Sequence, residues 1–433
     1  METTHAFEGL TCHECGSDHA LTASARCREC GGALDPSYDY DAIDPATIRQ
    51  APDGGSESTG SESTESPGSE DAVGASNDRD SGLWRFEALL PFPAEMAVSA
   101  HEGSTPLVAA DRLAAELDVA NVFIKDEGRN PTGTVLDRGL SVAMTAVAGL
   151  VDADGSSGDG PRGDVVEPLV CASPGNAGQS MAAYAGRTDL RSYAFVPSRC
   201  AFSNKAMTNV HGGEMRVVGG RHPDAVAAVD EQLATDYTDL AEFETPFRHE
   251  GTKTIAYEIA ADLGWTAPDV VVVPVASGEV IAGIAKGFRE LSALDLLEDR
   301  PRLVAAQPEG CAPIAAALDR GIDDPEPWGT PDTICGELEI PDPEGGAWAV
   351  DAVRESDGRG VTASDADILE SAVAVAQHEV LEMGAAGGVA PAGAWKLAED
   401  GWFDGDETVV LLNTDSGLKT PDVLRSHLMG KGI

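Results

Sequence analysis

From residue 83 onward, short runs of β-branched and other apolar residues alternate with longer Ala/Leu-rich stretches of helical period. That alternation predicts a parallel α/β sheet flanked by helices. Candidate strands fall at 122–124, 165–172, 192–196, 215–218, 270–275, 303–307 and 409–413. In such sheets ligands bind beyond the carboxyl ends of the strands, where loops lead into helix N-termini. The pattern fails twice. Residues 51–82 turn to Gly, Ser, Glu, Thr and Asp and read as an acidic, disordered linker, and residues 152–164 read as an acidic surface insertion. No run approaches the ~18 apolar residues of a membrane span. The opening Met1-Glu2-Thr3-Thr4-His5 lacks the basic and apolar regions of a signal peptide, so a cytoplasmic location is expected.

Charge narrows the partners. Against 74 acidic residues stand 29 basic ones, a formal net charge of -45, which opposes nucleic acid or an anionic membrane surface as partner. Such a balance fits a proteome adapted to high salt, where a charged surface keeps proteins soluble. Only seven lysines occur: Lys125, Lys205, Lys253, Lys286, Lys396, Lys419 and Lys431. Four of the eight cysteines lie in the first thirty residues, as Cys12-x-x-Cys15 and Cys27-x-x-Cys30, with Gly16 and Gly31-Gly32 following the two pairs. Two such knuckles supply four thiolates for tetrahedral zinc, and the closed site predicts a structural zinc ribbon over residues 8–42 without catalysis. His13 is the less favoured ligand while all four cysteines are available.

Three loops at strand ends carry the candidate chemistry: Asn130-Pro131-Thr132-Gly133-Thr134-Val135-Leu136-Asp137-Arg138-Gly139, Ser173-Pro174-Gly175-Asn176-Ala177-Gly178, and Ala276-Ser277-Gly278-Glu279-Val280. Together with Glu102-Gly103-Ser104-Thr105-Pro106-Leu107, Glu250-Gly251-Thr252-Lys253-Thr254, Gln307-Pro308-Glu309-Gly310 and Thr414-Asp415-Ser416-Gly417-Leu418-Lys419, they make the chain resemble the threonine synthases of the pyridoxal-phosphate β-family. The resemblance covers nearly everything outside the two acidic stretches. It implies a two-lobed, open parallel-sheet α/β fold of the tryptophan synthase β-like kind (fold type II) over residues 83–428, with a smaller lobe at about 120–220 behind the N-terminal zinc ribbon. It also implies pyridoxal phosphate as cofactor, O-phosphohomoserine as substrate, and a homodimer as the usual assembly.

Position by position, the resemblance assigns Asn176 to the cofactor's 3-hydroxyl, Ser277 and Gly278 to its phosphate, Thr414 to its ring nitrogen and Ser173 to the substrate carboxylate. Two departures undercut the chemistry. Where the family pattern Asn-Pro-Thr-Gly-Ser-Phe-Lys-Asp-Arg-Gly has its Schiff-base lysine, this chain has Leu136, which holds no imine and moves no proton. In the phosphate loop Ala276 and Glu279 stand at glycine positions. A carboxylate ~4 Å from a phosphate charge costs roughly 4 kcal/mol at an effective dielectric near 20. Glu279 is therefore expected to satisfy the helix N-terminus itself, the alternative being a side chain turned to solvent. Pro174, Asp415 and Ala390 depart from the family pattern as well.

The leading expectation is a non-catalytic paralogue, with pyridoxal phosphate binding in doubt, whose cleft takes a small amino-acid-like metabolite or a partner. Against it stand an active threonine synthase that converts O-phosphohomoserine to threonine and phosphate through a lysine displaced from elsewhere, and a zinc-ribbon adaptor with the large domain as scaffold.

Overall fold

The computed structural model describes residues 1–22, 24–50, 82–153 and 165–430. The linker expected at 51–82 and the insertion expected at 152–164 lie outside the described residues, apart from residue 82 and the helical residues 152 and 153. Two parallel sheets organise the main body. The larger has six strands in the order Arg359–Ala363, Arg302–Pro308, Val270–Pro274, Thr408–Asn413, Asn121–Asp126 and Leu107–Ala109, of which only the last runs antiparallel to its neighbour. The smaller has four, in the order Glu214–Val218, Ser192–Pro197, Leu169–Ala172 and Thr238–Asp239.

The central strand Val270–Pro274 shows why this sequence takes this architecture. Val271 and Val273 pack with Ile284 and Phe288 on one face, and Val270 and Val272 pack with Val389 and Leu397 on the other. A strand covered by helices on both faces needs an unbroken apolar run, and each buried valine stabilises by roughly 1.5–3 kcal/mol. Parallel register sets Val272 beside Val304 on one side and Leu411 on the other. All seven strands expected from the sequence form. Asn121–Asp126, however, pairs with Thr408–Asn413 in the larger sheet. The smaller sheet therefore draws its strands from residues 169 to 239 instead of the 120–220 expected for the smaller lobe.

Close packing positions the loops. The helix Leu136–Ala153 and the short helix Arg248–Thr252 touch through Gly139 and Gly251, where any side chain would overlap the facing backbone. This contact carries Arg138 and Arg248 inward from opposite sides. The N-terminal segment forms its own three-stranded antiparallel sheet, Asp18–His19, Phe7–Cys12 and Leu34–Tyr38. It docks on the main body through Tyr38, whose hydroxyl donates to Glu250 at 2.6 Å, and through Arg26, which pairs with Glu244 at 2.7 Å and Glu344 at 2.6 Å. His13 stacks on Trp348 with ring centroids 4.0 Å apart. Among the described residues no helix is long and apolar enough to cross a membrane.

Candidate functional site

The strands Leu169–Ala172, Val270–Pro274 and Thr408–Asn413 all end at one cleft, and the loops that follow them line it. The structure thus brings together Leu136, Ser173, Asn176, Ser277, Gly278 and Thr414, the positions singled out in the sequence. Three carboxylates, Glu242, Glu279 and Glu337, and one guanidinium, Arg248, complete the charged lining.

Gly278 begins the helix Glu279–Ala293 in the left-handed region, φ 96°, where a Cβ would strike the backbone carbonyl of Gly345. Glu279 follows at 2 % exposure. Its carboxylate does not cap its own helix, contrary to expectation, and it does not turn to solvent. Arg248 takes it in a two-pronged pair, Nε to Oε1 at 3.1 Å and an η-nitrogen to Oε2 at 2.6 Å, while the other η-nitrogen donates to the Leu240 carbonyl at 3.1 Å and to Glu242 at 3.3 Å. The physical reason is that a planar, charged fork binds a carboxylate more strongly than neutral backbone N–H groups do. Burial works against the Arg248 charge, but Glu279 and Glu242 outweigh it and hold the guanidinium protonated above its ordinary range.

The opposite wall is built on amides. Ser173 spends its hydroxyl oxygen on the backbone N–H groups of Gly175 and Gly178, at 2.9 and 3.2 Å, shaping the turn into the helix Asn176–Gly186. The Asn176 side chain accepts from Asn204 at 3.0 Å and donates to Asp415 at 3.3 Å, so its amide is held inside the wall. Glu337 accepts from the Asn176 backbone N–H at 2.8 Å and from the Asn204 side chain at 2.7 Å. Burial pushes its carboxyl up to about 7. Thr414, 7 % exposed, lines the cleft with a hydroxyl that has no hydrogen-bond partner.

These residues fit pyridoxal phosphate poorly. Leu136 lies at the cleft, half-buried at the start of its helix, and none of the six described lysines lines it. Lys125 is tied to Glu258 at 2.8 Å, Lys253 to Glu250 at 2.6 Å, Lys286 to Asp35 at 2.5 Å, and Lys205 to the Ser198 carbonyl at 2.8 Å. Lys396 faces Glu399 at 3.5 Å. Lys419 comes nearest in spirit, but its Nζ is committed behind Asn176 to Gln179 at 2.7 Å and Asn204 at 2.9 Å. Lys431 is outside the described residues. At the phosphate end the backbone cradle persists without a side-chain cap, yet two carboxylates share the guanidinium beside it. Among the described residues that line the cleft, only Thr414 has a buried side-chain polar atom without a partner, and that hydroxyl suits a ring nitrogen.

The four ribbon sulfurs do suit a metal. All lie within 4.8 Å of one another, with Cys12 and Cys30 3.4 Å apart and Cys15 and Cys27 3.6 Å apart. Zinc bound tetrahedrally at ~2.3 Å from each sulfur needs separations of about 3.8 Å. His13 turns its ring to Trp348 instead.

Sequence reasoning had no means of finding Arg248 as the partner of Glu279, 31 residues away, or Glu337, which lies in no motif. Both enter the cleft by tertiary packing alone.

Two parallel sheets with a cleft at their strand ends define a class of protein, and the comparisons agree. A family profile described as pyridoxal-phosphate dependent enzyme matches residues 98–415. Solved structures with the same fold include a maize serine racemase, TM-score 0.60 and 18 % identity over 76 % of this chain and 94 % of that one, and an L-serine ammonia-lyase from the fungus Rhizomucor miehei, TM-score 0.62 and 19 % identity over 75 % and 98 %. Within that class, the threonine synthase of Methanocaldococcus jannaschii is 32 % identical over 95 % of this chain and 93 % of its own length, and that of Methanosarcina acetivorans is 30 % identical over 96 % and 93 %. The chain belongs to the threonine synthase family of pyridoxal-phosphate-dependent enzymes.

Proposed function

We propose that this chain is a non-catalytic member of its family, which keeps the cleft as a small-molecule site and has lost imine chemistry. The observation that carries this reading is the side chain of Leu136 in a cleft that no described lysine lines. The buried Arg248–Glu279 pair supports it, because seating a phosphate there requires parting a buried ion pair, which costs about 3–5 kcal/mol. The four thiolates hold a structural zinc, and the ligand is a small amino-acid-like metabolite. Neither nucleic acid nor membrane is a partner at a net charge of -45. A homodimer in a high-salt cytoplasm completes the proposal, with all eight cysteines unpaired in keeping with a reducing compartment.

A working threonine synthase is the second reading, favoured by the free Thr414 hydroxyl and by relatives named threonine synthase at 30–34 % identity. One experiment separates the two. Purified protein incubated with pyridoxal phosphate is expected to show no visible aldimine band, to retain no borohydride-trapped label on a lysine, and to release no phosphate from O-phosphohomoserine. A label trapped on Lys419 or any other cleft-reaching lysine, with turnover, would establish the second reading. Zinc is checked separately by metal analysis, where about one ion per chain is expected and Cys12→Ser lowers that content.

A further inference from the structure

We propose that the cleft binds a small organic ammonium ligand and selects against phosphate esters, with Glu337 as the counter-charge and Thr414 as the neutral hydrogen-bond anchor. This rests on the non-catalytic reading above and names the chemistry of the ligand such a protein would hold. The charged lining is lopsided, since three carboxylates face one guanidinium. Arg248 is largely committed, because four of its five N–H groups go to Glu279, Glu242 and the Leu240 carbonyl. An incoming anion therefore meets two carboxylates and an occupied arginine, while an incoming cation meets an excess of negative charge.

Glu337 is the group best placed to use that excess. It forms no ion pair among the described residues, and its two hydrogen bonds come from neutral amides, one to each oxygen. A carboxylate offers about four lone-pair sites, so acceptor capacity remains on both oxygens. The charge of Lys419 favours the Glu337 carboxylate, but its hydrogen bonds go to Gln179 and Asn204. The acidic lining does not stand alone as evidence of a ligand. Thr414, more than nine-tenths buried in the same cleft, presents a hydroxyl without a partner, and buried polar groups are rarely left so unless a ligand or water completes them.

The test uses probes that cannot form an imine, so its result does not depend on any lysine. Calorimetric titration compares pyridoxamine, which carries a ring and an ammonium, with its 5′-phosphate at one pH and one salt concentration. Pyridoxamine is expected to bind at least about tenfold more tightly. Glu337→Gln should weaken pyridoxamine by about tenfold and leave uncharged pyridoxine within about threefold, which also shows that the variant is folded. Glu279→Gln should narrow the preference by freeing part of the Arg248 fork for phosphate. Equal or tighter binding of the phosphate ester, no binding of either probe below about 10 mM, or indifference of pyridoxamine to Glu337→Gln would each overturn the proposal. A borohydride-trapped aldimine would instead overturn the non-catalytic reading and leave this ranking to be judged on its own.

Discussion

Arg138 and Arg248 are both buried guanidiniums that each face two carboxylates, and they differ in what surrounds the charge. Arg138, fully buried, binds Glu127 through Nε at 2.7 Å and an η-nitrogen at 2.8 Å, and binds Glu258 at 2.8 and 2.7 Å. Lys125 adds a second cation, 2.8 Å from Glu258, and Thr105 and Thr254 accept the remaining N–H groups. Charge and hydrogen bonds close there: the cluster locks the loops after residues 102 and 126 onto the helix Thr254–Asp262. Around Arg248 no second cation pairs with Glu279 or Glu242 among the described residues. Glu279 and Glu242 share it at the edge of a cleft, so one cluster is scaffold and the other is a wall that still has charge to offer.

The largest effect should therefore come from removing the two arginines in turn. Arg138→Met strands Glu127 in a dry interior and leaves Glu258 with Lys125 alone, and it is expected to cost about 3–5 kcal/mol. Arg248→Met leaves carboxylates that cleft water can reach, for which about 1–3 kcal/mol is expected. Denaturant midpoints of the two variants at equal salt measure the difference. Equal losses would mean that Arg248 is as much scaffold as Arg138, and the contrast between the clusters would collapse.

How far the sequence reached follows the same division. Arg138 stands in a local motif, but its carboxylate partners come from outside that motif or from its other end, and its role was not legible. The parallel strands were legible because burial on both faces demands unbroken apolar runs. Arg359–Ala363 and Leu107–Ala109 were missed because both are short strands at the edges of the sheet, where one side needs no partner and the apolar signal thins. Thr238–Asp239 has only two residues and no apolar pattern at all. In the cleft, Leu136 was readable from its place in a motif, and so was the presence of an acid at 279. What that acid does was not, because its partner comes from another helix, and a helix-end argument considers only the charges its own segment supplies.

The two regions should also respond to pH in opposite senses. Burial alone would raise Glu258, but Arg138 and Lys125 outweigh it and hold the carboxyl well below the usual range. Its contribution to stability is present at neutral pH and is lost as the pH falls below about 4 toward its folded value. Glu337 is raised to about 7, so between about pH 4 and 7 the folded chain keeps a proton that the unfolded chain has released, and stability falls as pH rises. Glu337→Gln removes that loss. The variant should match the unmodified protein near pH 4 and exceed it at pH 8 by on the order of 1 kcal/mol, read from chemical denaturation across the range. A variant that is less stable at pH 8 would mean that Glu337 already has a cation in the folded protein.

The smallest change in stability tests which end of the cleft controls cofactor chemistry. Leu136 is only half-buried, and a lysine there can lay its stem along the same surface with the amine in the cleft, so Leu136→Lys should cost no more than about 1 kcal/mol. With Glu279 still paired to Arg248, the added amine faces an anion site that is filled by a carboxylate, and no borohydride-trapped label from pyridoxal phosphate is expected at position 136. Adding Glu279→Gly takes away the competing carboxylate and leaves part of the Arg248 fork unpaired beside the uncapped helix start. Label should then appear in the double variant alone. Labelling of Leu136→Lys by itself would show that the missing amine is the whole of the defect and that the Arg248–Glu279 pair, unlike the cluster at Arg138, yields readily to a competing anion.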